Sequence, residues 1–240
     1  MNAFNPAKFT ILIVEDHPFS RKAFIGMLMR SGYENVLSAE NGADAIDKLN
    51  QHSVDLVITD INMPKVNGLE LIQTIRMGST KCSAHTHIIA VTSLSDTATV
   101  STCMTLEIDS FLVKPITVKN AQDKIKLAIS QPRQLYQQHL YSAVNTDVCL
   151  TEPAATKKKS QPKTQVCNVS SKFFIARRVE DIKEGMTLVN DLLTVNGGCL
   201  LKAGTQINMK LLSRLHELRS CIEMDDVRMR VDAQEAVNQR

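Results

Sequence analysis

The sequence predicts an α/β fold, a doubly wound parallel sheet of five strands, for its first 130 residues. Three observations carry this expectation. Short β-branched apolar runs alternate strictly with stretches of helical period, and such strand–helix units build a parallel sheet covered on both faces. The runs are nearly all apolar rather than alternating, which suits strands buried on both sides. Helix-opening signals stand between them, where the helices should begin.

The elements follow in order. The first run, 9–14, ends at Glu15-Asp16, and Pro18 suits the start of a helix over 18–31 because its missing N–H is not needed there. A second run at 36–38 precedes a helical stretch at 42–51. The third, 56–59, ends at Asp60 and leads to a helix over 67–77. The fourth, 87–91, ends at Thr92-Ser93, and Ser95-Asp96 can open a helix over 95–106. The fifth, 111–113, ends at Lys114-Pro115 before a helix over 117–129.

Beyond residue 130 the character changes. Residues 131–172 carry Gln, Pro and the run Lys157-Lys158-Lys159, and read as a flexible polar linker whose start, 135–140, extends the preceding helix. Apolar pattern returns at Phe173. Residues 191–195 and 198–201 flank Asn196-Gly197, a hairpin signal because that pair tolerates positive φ. Ile207, Leu211, Leu212, Leu215 and Leu218 follow helical spacing over 208–219, and a last strand is expected at 227–231. The expected organisation is therefore a domain at 1–130, a linker at 131–172 and a small α+β module at 173–240.

Composition narrows the function. Apolar residues make up 43% and charged residues 22%, ordinary for a globular chain, while aromatics are only 4% and Trp is absent. Base-stacking platforms are thereby disfavoured. The net charge of +3 comes from the linker: residues 131–172 hold 6 Lys/Arg against 2 Asp/Glu, whereas 1–130 hold 12 against 13 and 173–240 hold 10 against 10. A folded basic face for nucleic acid is not expected, and the lysine run reads as solvated chain. No apolar run is long enough to span a bilayer and the N-terminus lacks a signal core, so a cytoplasmic protein without a membrane partner is expected. The six cysteines stand singly, which argues against a zinc knuckle or disulfide framework. His85 and His87 lack a third ligand type nearby and read as surface or loop histidines.

In open parallel sheets functional groups gather beyond the carboxyl ends of the strands. Glu15, Asp16 and Asp60, with the Thr92 hydroxyl and the Lys114 ammonium, should converge there. Three carboxylates in one cleft repel unless a cation joins them, and few oxygen ligands with room for water and phosphate suit Mg²⁺. Lysine, metal and a free carboxylate are the equipment for phosphoryl transfer onto Asp60.

The segments Ile11-Leu-Ile-Val-Glu15-Asp16, Leu56-Val-Ile-Thr-Asp60-Ile-Asn-Met-Pro64 with Asn67-Gly68, Val91-Thr92-Ser93 and Phe111-Leu-Val-Lys114-Pro115 resemble the response-regulator receiver (CheY-like) domain of two-component signalling, over about residues 8–130. The resemblance implies a flavodoxin-like sheet of strand order 2-1-3-4-5. It implies Asp60 as phosphoacceptor, Lys114 and Thr92 as its catalytic partners, and Mg²⁺ held by Glu15, Asp16, Asp60 and the backbone carbonyl of Asn62. Thr92 and Phe111 would be the switch pair, and Lys114-Pro115 the family's cis peptide. Two departures stand out. Leu106-Glu107-Ile108-Asp109 replaces the usual glycine closing the fourth helix, and 8 of the 14 residues from Thr92 to Thr105 are Ser or Thr, which weakens that helix.

These readings converge on a two-component response regulator, not itself an enzyme, phosphorylated by a sensor histidine kinase or phosphotransfer protein. Its C-terminal module, weakly similar to β-rich modules near receiver and cyclic-dinucleotide phosphodiesterase domains, would act on an unidentified protein partner. Phosphorylation-dependent homodimerisation is an open expectation. A transcriptional regulator with an unrecognised DNA-binding output, or a phosphoacceptor adaptor or sink, are the alternatives. A winged-helix effector needs about three helices, and residues 173–240 offer one.

Overall fold

The apolar runs of the first half are five parallel strands: β1 (Ile11–Val14), β2 (Val36–Ala39), β3 (Leu56–Asp60), β4 (His87–Thr92) and β5 (Ser110–Val113). In this computed structural model they stand in the order β2-β1-β3-β4-β5, which bears out the expected sheet. The structure describes residues 6–92, 97–130, 135, 138–147, 173–195, 199–219, 222–225 and 227–231. The chain divides into two units, 1–149 and 150–240.

Between the strands lie α1 (Pro18–Arg30), α2 (Gly42–Gln51), α3 (Gly68–Arg76), α4 (Thr97–Thr105) and α5 (Val118–Ser130). Pro18 occupies the first turn of α1, as its fixed φ favours. Asn41 and Asn67 cap α2 and α3 through their side chains, and Asn67 with Glu70 forms a complete capping box. Ser95-Asp96, expected to open α4, lies outside the described residues.

Period-two alternation sorts the strands onto two faces. Ile11, Ile13, Leu56, Ile58, Ile89, Val91 and Leu112 join Phe24 and Leu28 of α1 and Ala121, Ile125 and Ala128 of α5 in one core cluster. The alternate residues, among them Leu12, Val57, Ile88, Ala90 and Phe111, are equally buried on the side of α2, α3 and α4.

Two readings need correction. His87 is not a surface histidine: it opens β4, is buried, and lies 3.5 Å from Asp109. A polar residue at a strand start can be interior when a carboxylate meets it, and spacing alone does not show that. The linker expected over 131–172 does not hold at 138–147 either. Gln138–Ala143 form a separate 3₁₀ turn rather than prolonging α5, and Tyr141 in it is 1% exposed. One buried aromatic with a hydrogen-bonded tip anchors a segment whose overall polarity suggests free chain. Residues 148–172 lie outside the described residues.

The absent glycine after α4 has the expected consequence. Glu107 takes the left-handed conformation itself, with φ of 51°. The Glu107 N–H donates to the Met104 carbonyl and the Ile108 N–H to that of Cys103, the pairing of a Schellman cap. A non-glycine residue there costs roughly 1 kcal/mol. Arg76 of α3 compensates by donating from Nε to the Leu106 carbonyl at 3.1 Å and from Nη2 to that of Glu107 at 3.0 Å.

The second unit holds β6 (Phe173–Ala176), β7 (Met186–Leu188), β8 (Leu192–Leu193), β9 (Cys199–Leu201), α6 (Met209–Glu217) and β10 (Val227–Val231). The anticipated hairpin is present as antiparallel β8 and β9, its Asn196-Gly197 turn lying outside the described residues. Strands β6 and β7, which the sequence did not reveal, flank β10 in a three-stranded antiparallel sheet. Asn208 caps α6, and Ile207, Leu211, Leu215 and Leu218 form its buried face.

Candidate functional site

Strand register brings the predicted residues to one edge of the first sheet. Val14 of β1 pairs with Thr59 of β3, so Glu15 and Asp60 each stand one step further along adjacent strands. Asp60 pairs with Val91 of β4, which places Thr92 one residue beyond it. Thr92 in turn pairs with Val113 of β5, and Lys114 follows. Because β1 lies beside β3 while the chain crosses to β2 on the other side, this edge is where strand order reverses and a crevice opens.

The carboxylates of Glu15, Asp16 and Asp60 offer oxygens within 4.8 Å of one another. Glu15 and Asp60 are buried and Asp16 is exposed. One Asp60 oxygen accepts hydrogen bonds from the N–H groups of Ile61, at 2.7 Å, and Asn62, at 3.4 Å. The other lies 2.5 Å from the Lys114 ammonium, which also reaches Glu15 at 3.4 Å. The Lys114–Pro115 peptide is cis, and the Lys114 N–H donates to the Thr92 carbonyl at 3.0 Å.

The electrostatics follow from crowding. Burial, and then the negative charge of Asp60, push the Glu15 carboxyl above the ordinary range despite Lys114. For Lys114 burial works against the ammonium, but the hydrogen bond and charge of Asp60, with the charge of Glu15, outweigh it and raise its pKa. Lys114 therefore stays a cation. Three acids against one ammonium still leave excess negative charge, and the all-oxygen set suits a hard divalent cation that keeps several waters.

Of the expected residues, Glu15, Asp16, Asp60 and Lys114 come together directly. Asn62 lies beside Asp60, and Thr92 stands half-buried at the end of β4. Phe111 is not in the crevice: it pairs with Ala90 and is 2% exposed, so its ring already lies inside.

Two contributors escaped the sequence reading. Arg21 of α1 donates from Nη1 to the carbonyl of Glu15 at 2.5 Å and to that of Asp16 at 3.2 Å, fixing the backbone that presents both acids. In sequence it is one more polar residue of a helix. Gly68 is the second. Its N–H donates to the Ile61 carbonyl at 2.8 Å, and a Cβ built there would lie 2.2 Å from the Asp60 carbonyl oxygen. Asn67-Gly68 was visible as a motif, but not the backbone it approaches.

The first half of the chain is similar to known proteins. A family model described as the response regulator receiver domain matches residues 11–126. The chain is 33% identical over 120 residues to the chemotaxis protein CheY1 of Helicobacter pylori, covering 50% of this chain and 95% of that one. It is 35% identical over 117 residues to the chemotaxis protein CheY homolog of Campylobacter jejuni, covering 48% and 88%. Among solved structures, the chemotaxis response regulator CheY4 of Vibrio cholerae is similar at 25% identity, covering 49% of this chain and 96% of that one with a TM-score of 0.45.

Proposed function

The chain belongs to the response regulator receiver family of two-component signalling through its first half, and from this premise we propose that Asp60 accepts a phosphoryl group from a sensor histidine kinase or phosphotransfer protein. The observation that carries the reading is the placing of Asp60: a carboxylate within reach of two further acids, with a lysine at 2.5 Å and two backbone N–H donors on its other oxygen.

An Asp60 oxygen attacks the phosphorus of a phosphohistidine, the P–N bond breaks as the P–O bond forms, and the imidazole leaves with a proton. The N–H groups of Ile61 and Asn62 orient the nucleophile. Lys114 offsets charge on the phosphoryl oxygens, and the Thr92 hydroxyl donates to one of them. Glu15, Asp16, Asp60 and the Asn62 carbonyl would hold Mg²⁺. When bound, the ion neutralises the crowded acids and draws charge from the transferring group. Thr92 and Phe111 then relay the change along β4 and β5. The second unit is the output module, acting on a protein partner; among the described residues it has a single α-helix, which gives a winged-helix output no support.

The test uses full-length protein with Mg²⁺ and acetyl phosphate. Wild type should gain one acid-stable, hydroxylamine-labile phosphoryl group, and Asp60→Asn should gain none because the amide keeps the shape without the nucleophile. Equal, hydroxylamine-resistant incorporation in the variant refutes an acyl phosphate at Asp60.

A further inference from the structure

The stretch after α5 is tied back onto α3 and the end of α4 at three points. The Tyr141 hydroxyl, in the interior, donates to the Glu107 carboxylate just beyond α4. Gln73 in α3 donates from Nε2 to the carbonyls of Tyr141 at 2.6 Å and Val144 at 3.0 Å. Asn67 donates from Nδ2 to the Thr146 carbonyl at 3.2 Å. Asn67 also caps α3 through its other side-chain atom, and it adjoins Gly68, whose N–H closes the loop that starts at Asp60. A ten-residue stretch of polar chain thus runs from the end of α4 to the phosphoacceptor loop.

The latch also accounts for Glu107. Its φ of 51° is one that glycine adopts without cost, yet the chain carries a glutamate there whose buried side chain receives the Tyr141 hydroxyl. A glycine would relieve the backbone and leave Tyr141 with no acceptor at that position. Arg76 beneath it holds the carbonyls of Leu106 and Glu107, so latch and helix end are one construction.

We propose that residues 138–147 are a cis-acting strap, latched by Tyr141 on Glu107, that occupies the α3–α4 face of the receiver and couples it to the loop carrying Asp60. The strap makes the end of the receiver part of its switch, because Thr146 lies beside Asn67. Its response to phosphorylation rests on the phosphoacceptor reading; its existence and its coupling to the loop do not.

Hydrogen exchange of the full chain, first without phosphodonor, tests both claims. In Tyr141→Phe, which keeps the ring, peptides covering 138–147 should exchange about tenfold faster, the loss of one buried hydrogen bond to a charged group. Peptides covering 61–72 should exchange several-fold faster, and those covering β1 and β2 should be unchanged. Glu107→Gly should free the strap equally while peptides covering 103–108 stay as protected as in wild type, since glycine suits the left-handed position. Wild-type exchange of the strap in both variants overturns the latch. A loosened strap with 61–72 unmoved overturns the coupling. With Mg²⁺ and acetyl phosphate, the phosphorylated wild type should show altered exchange over 138–147, and identical exchange overturns the switching role. Failure to gain a phosphoryl group refutes the Asp60 assignment instead, leaving strap and coupling decided by the variants.

Discussion

Replacing Gly68 with alanine adds one methyl group where the structure has no space. The new Cβ would sit 2.2 Å from the Asp60 carbonyl oxygen, 2.7 Å from the Ile61 Cα and 3.0 Å from the Asp60 carbonyl carbon, where ordinary contact begins near 3.4 Å. All three neighbours are backbone, so no side chain can swing away. The β3–α3 loop must retreat by more than an ångström from the start of α3, stretching the hydrogen bond from the Gly68 N–H to the Ile61 carbonyl. Overpacking of this kind costs about 3 kcal/mol, the upper end of its usual range. In a unit of this size that lowers the melting temperature by about 10 °C. Gly26→Ala is the matched control. Its Cβ meets only the end of the Arg30 side chain at 3.8 Å, within α1, so the same chemical change should stabilise by about 0.5–1 kcal/mol. Calorimetry of full-length wild type and both variants measures the effect, and phosphorylation by acetyl phosphate should slow only in Gly68→Ala because Asp60 moves with its carbonyl. Opposite signs are the expected result. If both variants melt within about 2 °C of wild type, the loop has slack that the geometry denies, and close approach is not why glycine stands there.

Asp16→Ala removes the exposed acid of the cluster and should weaken Mg²⁺ binding about tenfold or more while the fold persists; an unchanged titration would show that the cation is held elsewhere. Lys114→Ala should retain Mg²⁺ binding but lose the conformational response, so equal shifts in amide exchange across 97–114 on phosphorylating wild type and variant would refute a coupling role. In the second unit the Ala203 N–H, opposed by burial and aided by Lys202, holds the Asp191 carboxyl below its ordinary range. A lowered folded pKa means stability present at neutral pH and lost as pH falls below the ordinary carboxylate range through the folded value. Asp191→Asn should flatten that acid limb of the second unit's unfolding curve, and an unaltered limb would place the dependence on another group.

The elements that sequence reading recovered are those whose cause is local. Strands buried on both faces must be apolar along most of their length, so β1 and β3 to β5 announced themselves, and with them the polar residues at their ends. Glu15, Asp16, Asp60, Thr92 and Lys114 were legible because a parallel sheet delivers all its carboxyl ends to one edge, whatever the details of packing. The leucine face of α6 was legible for the same reason, since its period is written in consecutive residues. Strands β6 and β7 were not: they are only 4 and 3 residues long and owe their existence to pairing with β10, about 40 to 55 residues further along the chain.

What the amino-acid sequence determined by itself was therefore, for the first unit, the order of elements, the direction of the sheet and the chemistry at its edge. Tertiary structure alone decided which distant groups complete that edge and which close the end of α4. Arg21 reaching back to Glu15 and Asp16, Gly68 yielding space to Asp60, Arg76 closing α4 and Tyr141 reaching Glu107 are contacts between residues 5 to 34 positions apart. No period or cap marks such a partner, because a long-range hydrogen bond depends on where two backbones come to rest rather than on the residues beside either one. The polar stretch after α5 shows the consequence: its composition is that of solvated chain, and a phenol finding a buried carboxylate, with Gln73 and Asn67 on its carbonyls, makes it part of the fold.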